Sequence, residues 1–286
     1  MATLVTNNSS ETDNDYDLGG AEAGQNGSSH DSAKKSAHAV DPTIRLKNVR
    51  VNRGGSLALN VPELTIGAGY TALVGPNGSG KSTMLHVISG LLRLDTGTVT
   101  MTPSGAGGVN VAYVLQSQQA SKNLLVTARE VVQLARRSGR FGRASRADRQ
   151  AVEEAMEQLG VHELSNRHLA DMSGGQRQRV LIAQGLVQDT DVLLLDEPVA
   201  GLDLASERAI RQAINGEKAK GRTVVVATHD LDEAAKADQV VMLNGNVIAA
   251  GQPAEVLKPE TLRQAYRGRV LDLGDGSIAV DDAHHH

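Results

Sequence analysis

The run Gly75-Pro-Asn-Gly-Ser-Gly-Lys-Ser-Thr83 has the residue types and spacing to hold phosphate. Gly75, Gly78 and Gly80 let the backbone wrap closely around oxygen atoms and present successive N–H groups at the positive end of a helix. Pro76, Asn77, Ser79 and Thr83 complete the loop. Lys81 has the reach and charge for the β and γ phosphates, and the Ser82 hydroxyl suits Mg²⁺. A glycine-rich turn before a helix would share some of this. The full pattern G-x-x-x-x-G-K-[ST], set between the strand Thr71 to Val74 and the helical run Met84, Leu85, Val87, Ile88, Leu91, points instead to a nucleoside triphosphate.

A second group of residues carries the complementary chemistry. Val192-Leu-Leu-Leu-Asp-Glu-Pro198 is an apolar strand ending in two carboxylates. Asp196, at the carboxyl end of the strand, is placed to join a Mg²⁺ shell, and Glu197 to polarise an attacking water. Such an ending alone is also compatible with a structural turn; the upstream phosphate loop gives it a function. Ser173 opens Ser173-Gly-Gly-Gln-Arg-Gln-Arg179, where Ser173 and Gln176 have the spacing of a helix-starting capping box.

The elements that must position these residues follow from apolar patterning. Extended runs come first, at Ile44 to Val51, Ser56 to Val61 and Thr71 to Val74. Four-residue apolar runs follow at Val192 to Leu195, Val224 to Ala227 and Val240 to Leu243. Continuous rather than alternating apolarity predicts strands buried on both faces, as in a parallel sheet covered by helices. Between Ser145 and Gly160, Val152, Ala155, Met156 and Leu159 share one helical face, Ser145 and Asp148 form a capping box, and Gly160 ends the helix. The alternation of strand and helix predicts an α/β class.

Composition excludes several alternatives. The 286 residues are 40% hydrophobic and carry a net charge of −4, enough for a true core and against collagen-like, coiled-coil or wholly disordered chains. The longest apolar run, Val111 to Leu115, falls far short of the ~20 residues of a membrane helix. The N-terminus has no signal-peptide pattern, and the absence of cysteine removes disulfides and thiolate metal sites, so a cytoplasmic protein is the simplest expectation. Residues 1–41 are rich in Ser, Asn, Asp and Gly, carry two Lys against seven Asp and Glu, and read as a disordered acidic tail. The rest is then near neutral, at +1, and only 2% of the chain is aromatic. Both features argue against a nucleic-acid partner.

With these residues in hand, the sequence resembles the ATP-binding-cassette (ABC) ATPases. Met172-Ser-Gly-Gly-Gln176 looks like that family's signature motif, with Met172 in place of the usual Leu. Gln116 matches the Q-loop glutamine, Ala200-Gly-Leu-Asp203 the D-loop, and His229 in Ala-Thr-His-Asp230 the switch histidine. All stand in family order between about Ile44 and Tyr266. The implied fold is a P-loop NTPase of ABC type, with a mostly parallel core sheet, an antiparallel β subdomain and an α-helical subdomain. The ATPase domain would span 42–267, with the helical part at about 117–178 and a C-terminal hairpin and tail at 268–286.

The resemblance implies two chains, identical or closely paralogous, facing head to tail. Each ATP with its Mg²⁺ would be held by the phosphate loop of one chain and by Ser173, Gly174, Gly175 and Gln176 of the other. It makes Glu197 the general base, His229 the group orienting water and γ-phosphate, and Gln116 a contact to Mg²⁺ and water. Ser82 and Asp196 would complete the Mg²⁺ shell, and Asp203 would communicate between the sites. Family members usually stack the adenine on an aromatic residue where this chain has Arg53. Its guanidinium either stacks on the purine or points to solvent, which leaves GTP open beside ATP.

Only 89 positions separate Thr83 from Met172, too few for the long coiled coil of DNA-repair members, and the chain has one set of motifs where translation factors usually carry two. A transport ATPase with separate permease subunits is therefore expected, served indirectly by an extracytoplasmic substrate-binding protein and lying on the inner face of the membrane. Leu125-Val-Thr-Ala-Arg-Glu-Val-Val132 and the arginines that follow resemble the zinc and manganese uptake subgroup; siderophore and cobalamin importers share part of the pattern. Arg136, Arg137, Arg140, Arg143, Arg146 and Arg149 form either a solvated face or a contact to anionic headgroups. Val270 to Val280 reads as a hairpin around Gly274 to Gly276, and His284 to His286 as a flexible end.

Overall fold

The computed structural model describes residues 42–102, 108–115, 125–136, 144–266, 270–272 and 278–280. The acidic tail, Gln116, Arg137, Arg140, Arg143, the glycine turn of the terminal hairpin and His284 to His286 lie outside the described residues.

Two sheets organise the chain. The first is antiparallel, in the order β2-β1-β4, from β1 (Thr43–Arg53), β2 (Ser56–Ile66) and β4 (Thr96–Thr102). The second has six strands in the order β5-β6-β7-β3-β8-β9, from β3 (Gly69–Val74), β5 (Val111–Val114), β6 (Val192–Asp196), β7 (Thr223–Ala227), β8 (Gln239–Leu243) and β9 (Val247–Gly251). All its pairings are parallel except that of β8 with β9. The mixed α/β architecture with an antiparallel subsheet is the one expected.

The continuous apolar strands are explained by burial on both faces. In β6, Val192 and Leu194 join one core with Leu73, Val225 and Val241, while Leu193 and Leu195 join another with Ala72, Val74, Val224 and Val226. The first core is closed by the antiparallel sheet and by α1 (Lys81–Ile88), through Met84, Leu85, Val87 and Ile88. The second is closed by α2 (Ala128–Arg136), α3 (Arg146–Gln158), α4 (Gly174–Leu186) and α5 (Leu204–Ala219). Helix α1 thus starts between the sheets, where the phosphate loop feeds it.

Local signals set the boundaries. Ser145 and Asp148 cap α3 reciprocally, each backbone N–H donating 3.0 Å to the other's side-chain oxygen, and Gly160 follows the helix at φ +60°. Strand β2 runs five residues past the expected end at Val61, through Pro62. That proline is tolerated because β2 is the edge of its sheet and its missing N–H removes no ladder bond. Short α6 (Leu231–Ala234), α7 (Pro253–Val256) and α8 (Pro259–Tyr266) complete the main body, and β10 (Val270–Asp272) pairs antiparallel with β11 (Ile278–Val280), the strands expected of the terminal hairpin. Among the described residues no helix is long and apolar enough to cross a membrane.

Candidate active site

The phosphate loop joins the carboxyl end of β3 to α1, in the crevice where parallel strands expose chemistry. Its first glycine is required by contact: a Cβ on Gly75 would lie 2.1 Å from the Leu243 carbonyl oxygen and 2.8 Å from Ser79 Oγ, at φ +152°. Gly80 caps α1 at φ +100°, where a Cβ would meet the Ala58 carbonyl at 2.8 Å. Pro76 accepts the Ser79 N–H, and Ser79 in turn accepts the Gly245 N–H at 2.8 Å, which ties the loop to the turn after β8. Asn77 and Gly78 form the exposed tip. The Lys81 ammonium donates to the carbonyls of Gly75 (2.6 Å) and Pro76 (3.2 Å), so it curls inside the loop. Thr83 is buried beneath it, while Ser82 faces outward.

Asp196 is 5% exposed at the end of β6 and accepts the Tyr113 hydroxyl at 3.2 Å. Burial raises the carboxyl above its usual range and the adjacent Glu197 charge adds to the rise; the nearby Ser82 and Tyr113 hydroxyls pull the other way. Glu197 leaves the strand at φ +46°, rare for a residue with a side chain, held by its N–H bond to the Ala227 carbonyl at 3.0 Å. That turn brings its Oε1 to 3.8 Å from Nδ1 of His229. His229 follows β7 and stands between two anchors: Thr228 donates its N–H to Leu73 of β3, and Asp230 caps α6. The loop, Asp196, Glu197 and His229 therefore share one edge of the parallel sheet.

The signature residues form a second group. Ser173 and Gln176 cap α4 reciprocally, at 3.2 and 3.1 Å, and Gly174 is exposed. Gly175 packs on the start of α5: a Cβ there would be 3.0 Å from Ser206 Oγ and 3.3 Å from Asp203 Oδ2. Asp203 caps α5, accepting the Ser206 N–H at 2.8 Å and its hydroxyl at 2.9 Å, and these bonds hold its carboxyl below the usual range. Signature and D-loop are thus one structural unit. Arg53, the last residue of β1, is exposed, and its charge, after burial, helps lower the basicity of His86 on α1.

Sequence reasoning missed Tyr113, His86 and Arg177. Arg177 is 9% exposed and donates to the carbonyls of Leu169 (3.2 Å) and Met172 (3.1 Å), fixing the approach to the signature helix. The only available signals were an arginine on a buried helix face and a tyrosine inside an apolar strand.

Comparison with known proteins agrees with this geometry. A family model described as ABC transporter matches residues 59–200. A manganese transport system ATP-binding protein of Halalkalibacterium halodurans is 35% identical over 81% of this chain and 94% of its own. The chain belongs to the ABC transporter family. It is accordingly an ATP hydrolase coupled to transport, of a family whose ATPases dimerise and work with transmembrane permease subunits. A zinc transport system ATP-binding protein of Treponema pallidum is 38% identical over 70% of this ABC ATPase and 77% of its own length. Among solved structures, a dimeric ATP-binding cassette in a post-hydrolysis state bound to ADP and Pi is 29% identical, with a TM-score of 0.64 over 73% of this chain and 98% of that one.

Proposed function

We propose that this ABC ATPase energises uptake of a divalent metal ion, zinc or manganese, through a separate permease, from the cytoplasmic face of the membrane. The manganese and zinc transport relatives support the choice of substrate. The observation that carries the hydrolytic reading is the turn at Glu197, which sets its carboxylate beside His229 and next to the Asp196 carboxylate at the end of the same strand.

In this reading Lys81 leaves its loop carbonyls for the β and γ phosphates, and the N–H groups from Gly75 to Thr83 hold the remaining oxygens. Glu197 orients a water and takes its proton as the water attacks the γ-phosphorus and the bond from that phosphorus to the bridging oxygen breaks, releasing ADP; His229 holds the water and the γ-phosphate in line. Gln116 adds a contact to the same water. The signature edge of a second copy, or of a close paralogue, closes the site, with Ser173 and the N–H groups of Gly174 and Gly175 facing the γ-phosphate. Asp203, bonded into the start of α5, links the two sites. Arg53 lies where the base enters. An extracytoplasmic binding protein selects the metal and delivers it to the permease.

The donor set suits Mg²⁺. Ser82 and Asp196 offer a hydroxyl and a carboxylate near each other, both hard oxygen donors, and no cluster of three or more His, Cys, Asp or Glu appears among the described residues. One carboxylate and one hydroxyl, completed by substrate phosphates and water, is how this ion is ordinarily held. When bound, it neutralises charge on the β and γ phosphates.

Metal content of cells lacking the protein, complemented with wild type or Glu197→Gln, tests the transport reading. Zinc or manganese falls and returns only with wild type; unchanged metals would assign another solute.

A further inference from the structure

We infer that Tyr113 and His86 are positioning residues for the Asp196 carboxylate, forming a chain of hydrogen bonds, His86 to Tyr113 to Asp196, that presents this carboxylate to the metal. The inference rests on the reading of Asp196 as a Mg²⁺ ligand.

Three elements build the chain. Ser82 and His86 lie four residues apart on α1, hence on one face of that helix. Tyr113 stands on β5, whose parallel register with β6 pairs Tyr113 with Leu194, two positions before Asp196 and so on the same face of the sheet. The Tyr113 hydroxyl lies 3.2 Å from Asp196 Oδ2 and 3.2 Å from His86 Nε2. The His86 and Tyr113 rings meet edge to face, with centroids 5.3 Å apart at 87°. Tyr113 is 6% exposed, so water does not compete freely for these bonds.

Counting protons fixes the direction of the chain. A carboxylate only accepts, and the tyrosine has one hydrogen, which goes to Asp196. The Tyr113 oxygen must then accept from His86, so Nε2 carries the imidazole proton and Nδ1 keeps a lone pair. Nδ1 is buried with no hydrogen-bond partner, where a lone pair is less costly than an unmatched N–H. His86 thus polarises Tyr113 and Tyr113 holds one oxygen of Asp196, leaving the other for the metal. Partners of this kind, one step from the ligand, commonly change metal affinity by a factor of 10 to 100.

The test uses the full chain, with ADP present and Mn²⁺ as the spectroscopic probe, its binding read by electron paramagnetic resonance. Asp196→Asn, the control, weakens Mn²⁺ binding at least about tenfold, and Tyr113→Phe about tenfold. His86→Met weakens it by about threefold, a lesser effect because it acts through Tyr113. His86→Gln, whose amide can donate from nearly the same point, restores it. Metal-free ADP affinity stays at the wild-type value in the Tyr113 and His86 variants, which a general packing defect would not allow. If Asp196→Asn weakens binding while Tyr113→Phe matches wild type, the inference is overturned and the Mg²⁺ reading stands. If Asp196→Asn has no effect, both fall. Should Tyr113→Phe fail to fold, the two His86 variants decide alone: equal affinities for Met and Gln overturn the inference.

Discussion

Nδ1 of His229 lies 3.8 Å from Oε1 of Glu197, across the gap between the ends of two neighbouring parallel strands. Neither residue reaches this position by regular structure. Glu197 needs a left-handed backbone, and His229 sits between a serine-like cap at Thr228, which accepts the Asp230 N–H at 3.0 Å, and the cap that Asp230 itself supplies to α6. Strain held in this way at a strand end is the mark of a site whose geometry is set by the surrounding fold.

Lys81→Ala removes the only ammonium inside the loop and leaves its fold-supporting glycines intact. ATP affinity measured by calorimetry falls by at least about a hundredfold, as expected for losing a charged contact of about 3 kcal/mol. Unchanged affinity would refute the phosphate-loop assignment.

Gly75→Ala is predicted to be worse for the fold than its size suggests. The new methyl would meet a backbone carbonyl, which cannot move aside as a side chain tip would. A loss of about 2 kcal/mol or more in denaturant unfolding is expected, accompanied by loss of nucleotide binding. The same change at Gly78, where a Cβ meets nothing within 4 Å but φ is +78°, costs about 1 kcal/mol from strain alone.

Arg211 on α5 holds the helix after His229. Its guanidinium lies 3.4 Å from Glu233, which is 1% exposed, and 2.8 Å from Glu207. Burial raises the Glu233 carboxyl, and the Arg211 charge opposes the rise. Arg211→Met leaves that carboxylate buried and unpaired, costing roughly 3 kcal/mol in unfolding free energy. The double variant Arg211→Met, Glu233→Gln recovers most of it, and a double-mutant cycle measures the coupling.

The fold and much of the site were legible because their signals are local. β6, β7 and β8 announced burial on both faces through uninterrupted Leu and Val, and the caps at Ser145 and Ser173 were visible as residue pairs three apart. The extension of β2 through Pro62 was not, because only the sheet order makes it an edge strand. Tyr113 and His86 were invisible for a related reason. Their meeting depends on β5 lying beside β6 and on α1 passing over both, which no spacing within the chain encodes. Gly175 resting on Asp203 and Ser206 likewise joins motifs that the sequence presents separately.

Asp148 offers a pH-dependent test of the helical subdomain. Bonds from Ser145, first the hydroxyl and then the backbone N–H, together with Arg136, lower its carboxyl to about 2. A depressed carboxyl stabilises the fold above its unfolded pKa of about 4 and loses that contribution as pH falls through its folded value. Wild type therefore melts above Asp148→Ala at pH 6, and the gap between them narrows from pH 4 towards pH 2. A gap independent of pH would show that the charge plays no part.

The most direct measurement is phosphate release from ATP by the full chain and by Glu197→Gln, followed as protein concentration is raised. Wild type turns over, at a rate per chain that increases with concentration as two copies complete each site. Glu197→Gln binds ATP with wild-type affinity but releases phosphate at least about a hundredfold more slowly, the loss expected when a general base is removed. A Glu197→Gln variant that turned over at the wild-type rate would contradict the account.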